Sequence, residues 1–354
     1  MTDIDVAVIG GGQAGLAVGY YLRRSQLSYV ILDDQRAPGG SWERTWSSLR
    51  LFSPAQWSSL PGFLMPRTTD EYPSREDVLA YLAEYERRYA LPIERPVEVE
   101  AVERDGDHLV VRAGDRVWKA RAVVSATGIW ANPIVPSLPG QDTYQGRLIH
   151  SAVYSGTDDF VGRSVFVVGA GNSGAQIVAE LSLVASVTWA TLAPPVFLPD
   201  DVDGRYLFEQ ATARYKAIQE GRTPDPPRSL GDIVAVQSVR EARARGALEA
   251  RPMFVRFTKT GVVWPDGTET HADAVIWATG FRPALRHLAP LHVVDARGRV
   301  DVDDTRSIKE PRLWLVGYGN WTGFASATLI GVGRSARATV ESITQALADA
   351  SPKV

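Results

Sequence analysis

The chain has 354 residues, 45% apolar and 22% charged, with a formal net charge of −3 and no cysteine. Such a composition fits a globular protein with one large or two medium cores, and the weak charge offers no general attraction to nucleic acid or anionic lipid. The missing cysteine excludes disulfides, thiolate metal sites and redox-active thiol pairs.

The first ten residues, MTDIDVAVIG, place Asp3 and Asp5 ahead of an apolar run and carry no basic stretch, unlike a secretory signal. No apolar run reaches the roughly 18 residues of a membrane span. A cytoplasmic protein with neither a membrane nor a nucleic-acid partner, and with no metal site, is the expectation. DVAVIG reads as a buried strand, GGGQAG (Gly10, Gly12 and Gly15 in the Gly-x-Gly-x-x-Gly frame) as a turn, and LAVGYYLRRS as a helix. SYVILDD is the next strand, and its Asp33 falls roughly 20 residues after the turn, where an acid meets a ribose hydroxyl. The pyrophosphate of a dinucleotide would sit on the helix N-terminus, where unpaired N–H groups and the dipole favour negative charge.

Residues 38–66, with Trp42, Trp46 and Trp57 among several Pro and Gly, read as an ordered ligand-covering loop region. Ser74 and Asp77 open a helix over 74–91 with an approximate capping box. Strands follow through 97–119, and RAVVSATG (121–128) runs a strand into a tight Thr-Gly. The segment SVFVVGAGNSG then repeats the glycine pattern with Gly169, Gly171 and Gly174, followed by a helix and by a strand ending near Thr191. Residues 200–250 read as a helical excursion broken by the Pro-rich 220–232, after which ADAVIWATGFRP repeats the strand-to-Ala-Thr-Gly pattern. PRLWLVGYGNW leads into a small-residue turn and a long helix beginning near Thr328.

Two fingerprints and two Ala-Thr-Gly crossings imply two dinucleotides. FAD in the first site and NADPH or NADH in the second make the economical pair, a hydride acceptor beside a hydride donor. The expected fold is α/β, with two Rossmann-like dinucleotide-binding domains, the NAD(P)H domain inserted in the FAD domain. Its expected limits are 1–155 and 285–354 for the FAD domain and 156–284 for the inserted one.

Between the fingerprints, YQGRLIHSAVY runs Tyr144-x-Gly146-xxx-His150-xxx-Tyr154. With GGSW (39–42) and GAGNSG (169–174), it resembles the pattern of flavin-containing monooxygenases, with Tyr in place of the leading Phe. The resemblance covers essentially the whole chain and is nearest to the small bacterial members, with the flavoproteins of arsenic-resistance operons as a second group. It implies an FAD enzyme that oxidises NAD(P)H, forms a C4a-peroxyflavin with O2 and oxygenates small soft nucleophiles such as thioethers and amines, or ketones in a Baeyer–Villiger reaction. A homodimer is favoured by the resemblance alone. It implies that Gly10, Gly12 and Gly15 hold FAD phosphate, Asp33 the ribose, and Gly40, Ser41, Trp42 and Ser53 other parts of the flavin nucleotide. Thr127 would lie beside the cofactors, and Gly169, Gly171, Ser173, Gly174 and Gln176 would line the coenzyme site. His150 is read as structural.

Two positions depart from the family. Phe52 stands where it carries an Asn that supports oxygenated flavin, and Asn320 stands in GYGNW where many relatives have an acid for the ribityl chain. Phe cannot donate a hydrogen bond, so leakage to hydrogen peroxide is expected. The strand ending WATLAPP carries neither a cation for a 2′-phosphate nor an acid for its hydroxyl, so weak discrimination between coenzymes is expected unless Arg205 or Arg214 swings in. The enzymatic rival is a reductase of a quinone or other acceptor without oxygen insertion; the non-enzymatic one is a redox-sensing flavoprotein.

Overall fold

A computed structural model describes residues 1–223 and 232–350. The chain opens with β1 (Thr2–Ile9), α1 (Gln13–Leu22) and β2 (Tyr29–Leu32), then α2 (Arg75–Tyr89), β3 (Ile93–Glu94), β4 (Ala101–Asp105), β5 (His108–Ala113) and β6 (Arg116–Ser125). It continues through β7 (Arg147–His150), β8 (Ser164–Val168), α3 (Asn172–Leu181), β9 (Ser186–Thr191), α4 (Gly204–Gln219), α5 (Gln237–Ala244) and β10 (Ala250–Pro252). After β11 (Arg256–Phe257), β12 (Gly261–Val263), β13 (Glu269–His271) and β14 (Ala274–Trp277) come β15 (Val302–Asp303), β16 (Arg306–Ser307), β17 (Leu313–Leu315) and α6 (Val332–Asp349). Part of the Pro-rich stretch expected to break the excursion, 224–231, lies outside the described residues.

The first sheet runs β15-β16-β17-β6-β1-β2-β3, with the β4–β5 hairpin joined to β6 through β5. The second runs β10-β9-β8-β14-β7 and is parallel throughout. The chain thus leaves the first sheet after β6, builds the second, and returns to lay β17 parallel to β6. Two Rossmann-type units are nested in this way. β7 pairs with β14, so strand membership of the second sheet begins at Arg147, ahead of the division expected at 155/156. An edge strand of four residues set off by turns carries too little periodicity to be placed from sequence.

Both sheets are covered on two faces, which is why their central strands read as unbroken apolar runs rather than alternating ones. Val6, Ala7, Val8 and Val165 to Val167 are 0–1% exposed. Helices α1, α2 and α6 pack on one face of the first sheet, through Leu16, Leu82, Tyr85 and Ile343. The hairpin and the 286–291 turn pack on the other, through Leu109, Val111 and Leu288. In the second unit α3 and α5 cover one face. An aromatic layer of Phe254, Phe257, Trp264 and Trp277, braced by the small β11–β13 sheet, covers the other.

The capping box of α2 is complete: Asp77 N–H donates to Ser74 Oγ at 3.1 Å and Ser74 N–H donates to the Asp77 carboxylate at 2.8 Å. The last helix starts later than the sequence implies, at Val332 rather than near Thr328. Residues 323–331 form tight turns instead, because Gly323 (φ 116°) and Ala325 (φ 57°) adopt left-handed backbone that an α-helix cannot contain. No helix among the described residues is long and apolar enough to cross a membrane.

Candidate active site

The two glycine turns are built alike. Gly10 (φ 105°) and Gly169 (φ 134°) take conformations that side chains rarely adopt. A Cβ at Gly10 would lie 2.5 Å from the Ala126 carbonyl oxygen, and one at Gly169 would lie 2.2 Å from that of Ala278. Ala126 and Ala278 open the two Ala-Thr-Gly crossings, so each fingerprint is seated on its own crossing. That contact is why the two patterns recur together. Gly15 and Gly174 let the helices close down: a Cβ there would meet the Gly10 and Gly169 carbonyls at 1.9 and 2.3 Å.

Helices α1 and α3 start at Gly12 and Gly171 without a side-chain cap and without an acid in the first turn. Their first N–H groups are therefore available to an anion, and the helix dipole favours one. A Cβ at Gly171 would meet nothing within 4 Å, and one at Gly12 would meet only the Gly40 Cα, at 3.8 Å. Two cradles of bare backbone, each at the carboxyl ends of parallel strands, fit the diphosphates of two dinucleotides.

The structure gathers most of the expected flavin-site residues around the first cradle. Gly40, Ser41 and Trp42 form a short turn whose Gly40 abuts Gly12, with Ser41 exposed. Asp33 is 3% exposed beside Gly11, and Arg95 Nε donates to its Oδ2 at 2.6 Å. The same guanidinium makes two bonds to Glu86, at 2.6 and 2.7 Å. Burial raises the Glu86 pKa, against the pull of Arg95. Asn320 is exposed in the loop after β17, and that loop reaches α1 where Gly317 faces the Ala14 methyl.

Gln13 is a residue the sequence reading missed. Its amide oxygen accepts from Trp42 Nε1 at 3.2 Å and its nitrogen donates to the Ala327 carbonyl at 2.6 Å, so one side chain joins the first turn, the Trp loop and the last loop. Asn172 holds the same place in the second fingerprint. It donates to Asp232 O at 3.1 Å and accepts from Val234 N at 2.9 Å, tying α3 to the returning end of the excursion. An amide at matching positions of both fingerprints was the available signal. Ser173 lies half-buried in the first turn of α3 and Gln176 is buried in the second.

Phe52 and Ser53 lie elsewhere, under α4. The Gly204 N–H donates to Phe52 O at 2.8 Å, and a Cβ on Gly204 would touch both residues. The Phe52 ring is 6.4 Å from that of Phe208, beside Leu198, Val202 and Val234. The Ser53 hydroxyl is 2.8 Å from Ser58 Oγ, so it is engaged within its own segment. The excursion thus forms an apolar wall where the two units meet.

The crossings run side by side as an antiparallel ribbon. Ile134 N–H donates to Gly280 O, Arg282 N–H to Asn132 O and Ala284 N–H to Gly128 O, all at 2.8–2.9 Å. Trp130 stacks on Phe281 at 5.0 Å, and the Thr127 hydroxyl donates to Ala284 O at 2.7 Å. His150 is 5% exposed, its Nδ1 accepts from Ala152 N–H at 3.0 Å, and its ring stands edge-on to Phe281. Burial lowers its pKa. The segment Tyr144 to Tyr154 is the edge of the second sheet: Tyr144 OH donates to Ala272 O at 2.8 Å, and Tyr154 is 1% exposed. At the end of β9, Leu192 is 92% exposed. Arg205 lies 3.8 Å from Asp203, and the side chain of Arg214 is outside the described residues.

The pattern of the pyridine nucleotide-disulphide oxidoreductase family matches residues 7–198. A flavin-containing monooxygenase from Stenotrophomonas maltophilia is 52% identical, superposes with a TM-score of 0.90, and is matched over 98% of this chain and 100% of its own. The chain belongs to this family, within its flavin monooxygenase branch. An uncharacterised oxidoreductase, CzcO, of Bacillus velezensis is 29% identical over 348 residues, 95% of this chain and 98% of its own. Indole-3-pyruvate monooxygenase YUCCA4 of Oryza sativa is 28% identical over 331 residues, 80% of this chain and 75% of its own. This chain, a relative of flavin monooxygenases, is an oxidoreductase of a family that implies a flavin and a nicotinamide cofactor. With no cysteine, it lacks the thiol pair that the disulphide branch of the family needs.

Proposed function

We propose that the chain is an FAD-dependent monooxygenase that oxidises NADPH or NADH and inserts one oxygen atom of O2 into small soft nucleophiles, thioethers and amines first, ketones second. The observation that carries this reading is the pair of uncapped glycine cradles, each seated on its own crossing, with an apolar wall between the units. When bound, FAD supplies the hydride acceptor and the site of oxygen activation. In the net reaction, reduced coenzyme, a proton and O2 convert substrate to its oxygenated product, with oxidised coenzyme and one water.

The chain's part is binding, orientation and exclusion of water. Gly10, Gly12 and Gly15 with the start of α1 would hold the FAD diphosphate, and Asp33, fixed by Arg95, the adenosine ribose. Gly40, Ser41 and Trp42 would close over it, and Thr127 and Asn320 would flank the flavin half. Gly169, Gly171, Ser173, Gly174 and Gln176 would line the coenzyme diphosphate. Phe52, packed against Phe208, gives the substrate wall its apolar character and offers no donor to an activated oxygen; Ser53 holds that segment through Ser58.

The test is oxidation of NADH and NADPH by FAD-loaded protein in air, with and without an aryl methyl thioether, with sulfoxide and hydrogen peroxide measured in the same tubes. Sulfoxide with an enantiomeric excess supports the reading. Peroxide alone, unchanged by thioether or ketone, transfers it to a reductase.

A further inference from the structure

Tyr318 lies just after β17 and immediately precedes Gly319 and Asn320. Its phenol turns away from that loop and into the first sheet. There its oxygen is 2.5 Å from Ser125 Oγ, 2.7 Å from Thr127 Oγ1 and 3.2 Å from the Thr127 nitrogen. Ser125 Oγ is in turn 3.0 Å from His287 Nε2. Ser125 is fully buried, Tyr318 is 4% exposed and His287 5%.

The proton count orders this network. The single hydroxyl proton of Thr127 goes to Ala284 O. The contact between Tyr318 and Thr127 must then run from the phenol to the Thr127 oxygen. That leaves the phenol oxygen to accept from Thr127 N–H and from the Ser125 hydroxyl, and Ser125 to accept from His287 Nε2–H. Burial keeps the imidazole neutral, with a pKa lowered to about 4, which matches its role as a single donor. Each polar hydrogen in this chain of contacts has one acceptor.

These groups come from three separate pieces of chain. Ser125 and Thr127 stand at the root of the outgoing crossing, Ala284 and His287 at the root of the returning one, and Tyr318 at the head of the loop that abuts α1. Gln13 and Ala327 fasten the far part of that loop to the first cradle. The phenol is therefore the joint between the flavin-side loop and both crossings.

We propose that Tyr318 is a positioning residue for coenzyme oxidation: its phenol fixes the loop from Gly317 to Gly331 against the crossings, and so fixes the flavin relative to the unit that carries the nicotinamide. The inference rests on the function proposed above. A buried brace without this role would leave the same bonds but would not govern the rate of flavin reduction.

The test compares wild-type protein with Tyr318→Phe. Amide exchange at Thr127, measured without cofactor, should rise about tenfold in the variant, as expected for the loss of a buried bond worth about 1.4 kcal/mol. In anaerobic stopped-flow with FAD bound, the limiting rate of flavin reduction should fall about tenfold while the dissociation constant of the coenzyme changes less than twofold, the split that marks lost positioning. Thr127→Val removes the hydroxyl that links the phenol to the returning crossing while keeping the Thr127 N–H bond to the phenol. It should lower the limiting rate in the same way, with the coenzyme dissociation constant again little changed, and it carries the test if Tyr318→Phe fails to fold. A variant reduced at the wild-type limiting rate overturns the proposal, even where Thr127 exchanges faster. A wild-type protein that is not reduced by either coenzyme overturns both this proposal and the functional reading beneath it.

Discussion

Under the proposed function, one side chain at position 52 would serve two demands that conflict. Phe52 fills the space beneath α4 against Phe208 and Gly204, and for that an apolar ring is well suited. In the proposed reaction it would offer no hydrogen bond to activated oxygen. Phe52→Asn should therefore lower the peroxide released per coenzyme oxidised by at least roughly half. It should also cost about 1–3 kcal/mol of stability from the vacated space and the newly buried amide, seen as a lower denaturation midpoint. An unchanged peroxide yield would mean that the ring lies too far from the flavin to matter. A second single-residue prediction concerns Leu192, almost fully exposed at the end of β9. The stretch 189–195 itself carries neither a cation nor an acid, so the proposed reading gives NADPH no advantage over NADH. Leu192→Arg should raise the ratio of kcat/KM for NADPH to that for NADH by about tenfold, the value of one charge-assisted contact to phosphate. Steady-state rates with both coenzymes check it, and no change would place the adenosine ribose away from this strand end.

At the scale of elements, the second cradle depends on how α3 is tied to the excursion. The Asn172 amide bonds the backbone on either side of Ile233, and Ile233 is fully buried. Asn172→Ala leaves one carbonyl and one N–H without their partner, a local cost of about 1–3 kcal/mol. The expected result is a coenzyme KM raised by at least roughly fivefold with FAD content unchanged, since Gln13 still fastens the first cradle. Equal loss of FAD would show that the two units do not separate in this way. The same elements show what the sequence could reveal. The two fingerprints, the capping box of α2 and the strand runs are set by neighbours a few residues apart, and all are plain in the sequence. The bond from Gln13 to Ala327, the grip of Arg95 on Asp33 and the seating of Phe52 under Gly204 join positions far apart in the chain. No local pattern encodes them, although the paired amides of Gln13 and Asn172 left a trace. The turn from Gly323 to Gly331 misled for a related reason: small residues compatible with a helix were held in left-handed turns by contacts across the loop.

At the scale of the whole molecule, the nested order places both crossings at one junction, and His287 is buried inside it. Its folded pKa of about 4 lies below the ordinary value of 6.5, because burial disfavours the charged ring. Below pH 6.5 the unfolded chain takes up a proton at this position that the folded chain refuses. The stability that neutral His287 confers is thus fully present above pH 6.5 and is lost as pH falls toward 4, at up to about 1.4 kcal/mol per pH unit for one proton. Buried carboxylates act in the same acid range with mixed sign. Glu310, bonded to Arg312 and Arg104, has a lowered pKa because those bonds outweigh its burial, so it too loses stability in acid. Glu86 and Glu180, raised by burial, work the opposite way. The net slope of the protein therefore cannot be assigned to one group, but a difference can. His287→Gln keeps an N–H donor for Ser125 and cannot titrate. Denaturant unfolding of both proteins from pH 7.5 to 4.5 should show a variant whose stability relative to wild type improves steadily below pH 6.5. Parallel curves would mean that the junction opens and hydrates before the imidazole is charged, so that the two units part there first as the pH falls.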